Sequence, residues 1–191
     1  MSMSLQATTW QTVGPFFSIG LGRLTQADIA VPHMQGDHIQ VQGRILDSDL
    51  RPIPDALLET WQANSHGKYA HPDDRQHMPL DHRFSGYGRI PTDDEGRFQF
   101  KTIKPGAVPG PNGRLQAPHL VVGLIMRGLL KGLVTRIYFP DEVLNEGDAI
   151  LQSIPIARRE TLLLRASADQ PGFFTWDIHM QGQNETVFLE F

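Results

Sequence analysis

The chain carries 8 histidines and no cysteine, so any metal it holds must be met by imidazole, phenolate or carboxylate donors. Thiolate zinc sites, disulfides and cysteine nucleophiles are excluded. Histidine is the commonest metal ligand, and spacing decides whether several can share one ion. His66, His71, His77 and His82 fall five or six residues apart in one polar stretch, without the His-x-His or His-Glu-x-x-His spacing that aims two rings at one point. They read as surface side chains. His119 differs, because Pro118 fixes the backbone before it and the apolar run Leu120-Val121-Val122 follows. A metal ligand and a hydrogen-bonded core histidine are both open for it. Other chemistries have weaker support. Phe84-Ser85-Gly86 lacks the Gly-x-Ser-x-Gly context of a serine nucleophile. Gly14-Pro15 and Gly20-Leu21-Gly22 are not followed by the Lys-Ser/Thr of a phosphate loop. Asp73-Asp74 and Asp93-Asp94 sit among turn formers and read as solvated turn residues rather than a catalytic pair.

The elements that must position these groups are strands. Apolar residues alternate with polar ones at Ile39, Val41 and Ile45, at Phe98 and Phe100 within 97–102, and at Phe174, Trp176, Ile178 and Met180. Ala56 to Trp61, Leu120 to Met126 and Val134 to Phe139 read as further strands, and Val187, Leu189 and Phe191 as a closing one. Asp47-Ser48-Asp49, Asp94-Glu95-Gly96, Pro105-Gly106 and Pro111-Asn112-Gly113 supply turns between them. This pattern predicts an all-β fold, an antiparallel β-sandwich. Helix is expected only over 141–154, with Asp141 as its cap. Residues 1–35 lack alternation and predict an extended arm packing on another body, ahead of a single domain over 36–191. Residues 64–92 predict a long polar loop, an insertion of the kind that is usually functional or interfacial.

With 191 residues and a formal charge of −4, the chain suits one ordinary domain and lacks the basic surface a nucleic-acid phosphate backbone requires. No secretory leader or membrane-spanning run is legible, and a cytoplasmic location is the expectation.

Several motifs resemble one family. They are Gln11-Thr12-Val13-Gly14-Pro15-Phe16-Phe17, then Leu58 to Tyr69 (LETWQANSHGKY), Gly88-Arg89, Lys104-Pro105-Gly106-Ala107-Val108, Ala117-Pro118-His119, Thr135-Arg136-Ile137-Tyr138-Phe139, and Gln181 to Phe188. Together they span nearly the whole chain and resemble the intradiol ring-cleaving dioxygenases. Met126-Arg127-Gly128 and the carboxy-terminal run point to the alpha type of those members that are built from alpha and beta chains.

The resemblance implies a ferric site of two tyrosines and two histidines, held in such enzymes by the beta chain. Tyr69 and His119 fall on two ligand positions of that frame, whereas Val108 and Val121 fall on the other two. Valine has no lone pair, so the expectation is a vestigial site without metal in this chain and Fe(III) in a homologous beta partner. Tyr69 is then expected to be a packed aromatic. The implied holoenzyme of alpha–beta pairs cleaves 3,4-dihydroxybenzoate with O2 to 3-carboxy-cis,cis-muconate, in aromatic catabolism. The alpha chain's share, by resemblance, is a wall of the partner's substrate pocket from Thr12, Gly14 and Pro15, with Arg127 at its mouth. Arg127 also reads as a surface arginine paired with an acid. The alternative is a transthyretin-like binding module without an enzymatic partner, suggested by Gly43 to Asp47 and Pro52 to Ala56.

Overall fold

The computed structural model describes residues 8–14, 16–110 and 113–190. Nine strands form two main sheets. The first is centred on β1 (His38–Leu46). Along one edge it pairs antiparallel with β4 (Arg97–Ile103). Along the other it pairs in parallel, first with β10 (Phe173–Thr175) and then with β11 (Ile178–His179). The short β9 (Arg165–Ala166) closes that side. The second sheet is wholly antiparallel, in the order β3 (Tyr87–Pro91), β2 (Ala56–Trp61), β7 (His119–Met126), β8 (Leu133–Tyr138). A two-stranded ribbon of β5 (Val108–Pro109) and β6 (Leu115–Gln116) lies apart from both.

Alternation along these strands builds the interior. Val41 and Ile45 of β1, Phe100 of β4, Leu58 of β2, Leu120, Val122 and Leu124 of β7, and Ile137 of β8 are buried in one apolar cluster. Burying each such side chain contributes about 1.5–3 kcal/mol, so this shared core is what holds the two sheets together. Residues 26–34 add to it: Gln26 and Asp28 bridge to Arg89 and Lys101, and Ile29, Ala30 and Met34 sit in the same cluster.

The main strands coincide with the sequence reading to within a residue, but five details differ. The expected helix over 141–154 is a 3-10 turn, Val143–Glu146, followed by the short α-helix Ala149–Ser153. Gly147 separates them, and Asp148 rather than Asp141 is the cap, accepting from Ile150 N and Leu151 N at 3.0 and 2.9 Å. Within the expected loop over 64–92, residues 87–91 form β3, because pairing with β2 overrides the poor strand propensity of Gly88 and Pro91. The run from Phe174 to Met180 is two strands. Both keep one parallel register with β1, and the ladder is interrupted between them, where Asp177 Oδ1 accepts from Arg44 N at 2.8 Å. The expected closing strand is a single bridge, Val134 to Leu189, and Phe191 lies outside the described residues. Helical turns also occur at Phe16–Leu21 and Gly22–Leu24, within the expected extended arm, and at Ile156–Arg159.

Candidate functional site

In a sheet, residues opposite one another in register project from the same face, and positions two apart on one strand share it. Register therefore fixes which side chains meet. Trp61 stands opposite Val121, Val121 opposite Arg136, and His119 opposite Tyr138. All five project from the face turned away from the shared core. Tyr69, Val108, His119 and Val121, the four positions matched above to the family's ligand frame, are gathered there.

Two loops bring Tyr69 and Val108 to this face. Asn64 organises the first: its Oδ1 accepts from His66 N and Lys68 N at 3.0 Å, and its carbonyl accepts from Gly67 N and Gly106 N at 3.0 and 2.8 Å. The Gly106 bond ties the second loop to the first. Both glycines are required by closeness. Gly67 has φ +79°, and a Cβ on it would overlap the Ala107 carbonyl. A Cβ on Gly106 would lie 2.6 Å from Gly67 N. Asp74 Oδ2 accepts from Tyr69 N at 2.8 Å, and the Tyr69 ring stacks on Trp61 with centroids 5.9 Å apart and planes 10° from parallel. Trp61, Tyr69, Val108 and Pro109, rimmed by His71 and residues 73–76, enclose an open cleft of about 860 Å³.

The same sheet face carries a buried polar group. His119, 3% exposed, places Nδ1 2.7 Å from the Ala117 carbonyl. A carbonyl only accepts, so Nδ1 carries the proton, and Nε2 has no partner. Burial, and secondarily the charge of Arg136, push the His119 pKa down to about 4, so the ring is neutral. Burial raises the pKa of Tyr69 despite the opposing effect of Arg136, which keeps the phenol protonated. Tyr138 is raised by burial and by Asp148, to which its hydroxyl donates at 3.2 Å. Asp148 is fully buried and also accepts from Ala117 N at 2.9 Å.

A second group of expected residues lies elsewhere on the surface. Thr12 Oγ1 accepts from Gly128 N at 3.0 Å, which sets the amino-terminal segment beside Arg127. Thr12 and Gly14 are exposed, and Pro15 lies outside the described residues. Arg127 itself donates to Asp55 Oδ2 at 2.5 Å, with both side chains about half exposed. The structure thus brings Thr12 and Arg127 together and keeps them separate from the face that carries Tyr69, Val108, His119 and Val121.

A family model described as Dioxygenase matches residues 13–182. The chain belongs to the dioxygenase family. Among its relatives, the protocatechuate 3,4-dioxygenase alpha chain of Burkholderia cepacia is 36% identical over 98% of both chains. The protocatechuate 3,4-dioxygenase beta chain of the same organism is 40% identical, but over 79% of this chain and 67% of its own. A solved dioxygenase domain from Streptomyces sp. SirexAA-E, part of a fusion with a carbohydrate-binding protein, superposes with a TM-score of 0.64 at 26% identity, covering 85% of this chain and 89% of that one. These likenesses give the alternative reading, a binding module outside any enzyme, no support.

For an iron dioxygenase, the donor set on the face of Tyr69, Val108, His119 and Val121 is incomplete. A ferric ion favours anionic oxygen donors, yet two of the four positions are valines, which offer no lone pair. The residues present do not fit that ion. Among the described residues no group of three or more His, Asp or Glu is placed to hold a metal. Two residues of consequence were given no role by the sequence reading: Arg136, quoted only within a motif, and Asp148. The signal for Arg136 was a lone cation inside the apolar run 134–139, and for Asp148 a Gly-Asp pair just before a helical turn.

Proposed function

We propose that this chain is the alpha subunit of a protocatechuate 3,4-dioxygenase. In this reading a homologous beta chain holds the ferric ion and performs the chemistry. Its two sheets stack as a sandwich that keeps the ancestral frame as scaffold. One observation carries the proposal: full-length likeness to alpha chains coincides with valine at both Val108 and Val121, which removes two donors from an otherwise retained frame. The holoenzyme reaction is cleavage of the bond between the two hydroxyl-bearing carbons of 3,4-dihydroxybenzoate, with both atoms of O2 entering 3-carboxy-cis,cis-muconate.

The chain's own contribution is to shape the partner's pocket. Thr12, Gly14 and Pro15 form part of the wall, and Arg127 lends positive charge at the mouth, where it attracts the substrate carboxylate. The hydrogen bond from Gly128 to Thr12 supports a common role for the two segments, because it sets the arm next to Arg127.

The test is iron content and a visible spectrum for the chain purified alone and after co-expression with a candidate beta chain. Colourless protein alone and a red-brown, ring-cleaving complex are expected. Stoichiometric iron in the isolated chain, or failure of the two chains to assemble, would overturn the proposal.

A further inference from the structure

Asp55 holds a left-handed backbone, φ +58°, a region that aspartate and asparagine tolerate and most other side chains avoid. Its place follows from register. Ala56 stands opposite Met126 where β2 meets β7, so Asp55 and Arg127 oppose each other just past the last pair of that ladder. There Arg127 Nη2 donates to Asp55 Oδ2 at 2.5 Å, and the next residue, Gly128, donates its N–H to Thr12 Oγ1 at 3.0 Å. No other acid pairs with Arg127 among the described residues. Asparagine would suit the same backbone and accept the same hydrogen bond through its amide oxygen, so the negative charge is what aspartate adds.

That charge has a use at a pocket mouth that admits one anion and must release a more highly charged one. Protocatechuate carries a single carboxylate, whereas 3-carboxy-cis,cis-muconate carries three. The attraction of a lone guanidinium scales with ligand charge, so it would retain the product far more strongly than it draws in the substrate. Beside Asp55, Arg127 presents little net charge at a distance, because opposite charges a few ångströms apart cancel beyond that separation. The guanidinium donors that Asp55 does not engage stay open for short-range contact with a carboxylate. We propose that Asp55 tunes specificity at this mouth: it orients Arg127 through the ion pair and offsets its field, so that the substrate's one carboxylate is received and the product's three are let go. The proposal rests on the placement of Arg127 at the partner's pocket given above. Asp55 touches neither substrate nor iron and acts through Arg127, as a positioning residue.

Steady-state kinetics of the assembled enzyme carrying Asp55→Asn, at low and at high ionic strength, test the proposal. Because the energy scales with ligand charge, a fall of about twofold in KM for protocatechuate at low salt is expected to accompany a fall of about eightfold in the product's competitive inhibition constant, both shrinking in about 0.5 M salt. Asp55→Gly also suits the left-handed backbone and removes the charge; it is expected to raise the ratio of KM to the inhibition constant likewise, and it decides should the Asn variant fold poorly. An aspartate that served only as an anchor gives the opposite sign, since losing it would raise KM, as Arg127→Ala is expected to do. A raised KM, unchanged constants, equal shifts in both constants, or shifts indifferent to salt, in an enzyme where Arg127→Ala does raise KM, would overturn the role of Asp55 alone. Unaltered constants in Arg127→Ala as well would overturn the placement of Arg127, and this proposal with it.

Discussion

Two side chains allow the residue-scale reading to be tested directly. Arg127 is paired with Asp55 at the surface, an interaction worth about 0.2–1 kcal/mol, so removing it should leave the fold intact. In the assembled enzyme, Arg127→Ala is expected to raise KM for protocatechuate roughly threefold to tenfold, an effect that shrinks with added salt, while iron content stays constant. Unaltered steady-state constants would remove Arg127 from the pocket. His119 gives a stability test. Burial holds its folded pKa at about 4, whereas an unfolded histidine titrates near 6.5. Between those values the unfolded chain binds more protons, so stability is lost as pH falls through that window, by roughly 2–4 kcal/mol, and levels off below it. Urea unfolding at pH 7, 5.5 and 4.5 measures the slope. In His119→Gln the slope should flatten, and persistence of the full slope there would assign it to other groups.

At the scale of elements, legibility followed periodicity. The strands at 38–46, 56–61, 97–103 and 119–126 could be read because one of their faces is buried in the shared core, and burial writes alternation into sequence. β3 escaped because its outward face is polar and its inward face begins with a glycine. The helix over 141–154 was misplaced because Asp148, which caps locally through Ile150 N and Leu151 N, is fixed in place by Ala117 and Tyr138, which lie far off along the chain. Asp148→Ala should therefore cost about 3 kcal/mol or more, combining a lost cap with buried donors left unpaired, whereas a purely local cap would cost about 1 kcal/mol. Chemical denaturation distinguishes the two. The frame of Tyr69, Val108, His119 and Val121 was legible as a motif, but its physical basis is the clamp between the loops at 64–69 and 104–108. Gly67→Ala should strain the left-handed turn and push the Ala107 carbonyl away, destabilising by roughly 2 kcal/mol or more and weakening the contact of Tyr69 with Trp61. Near-ultraviolet circular dichroism of the wild-type chain and the Gly67→Ala variant reports on that stack, and an unchanged spectrum with unchanged stability would refute the clamp.

For the molecule as a whole, the distribution of apolar surface bears on assembly. Of the nine large apolar side chains more than half exposed among the described residues, four, Trp10, Phe16, Ile19 and Leu24, fall within one short amino-terminal segment, while Leu50, Leu115, Leu130, Val143 and Ile156 are scattered along the chain. None of them contributes to either buried cluster, so this chain's own fold gains little from their being apolar. Aromatic and aliphatic residues concentrated on one segment, outside the core, fit the interface expected of an obligate alpha–beta pair. A charge placed there should separate assembly from folding. Phe16→Glu or Ile19→Glu is expected to shift the stability of the isolated chain by no more than about 0.5 kcal/mol, as for ordinary surface positions. The same change should weaken association with the beta chain by about 2 kcal/mol, close to thirtyfold, if the residue anchors the interface. Sedimentation of mixtures at several concentrations gives the affinity, and urea midpoints give the stability. Wild-type association by both variants would show that the segment faces solvent in the complex, and the proposed pocket wall of Thr12 and Gly14 would then lose its physical basis.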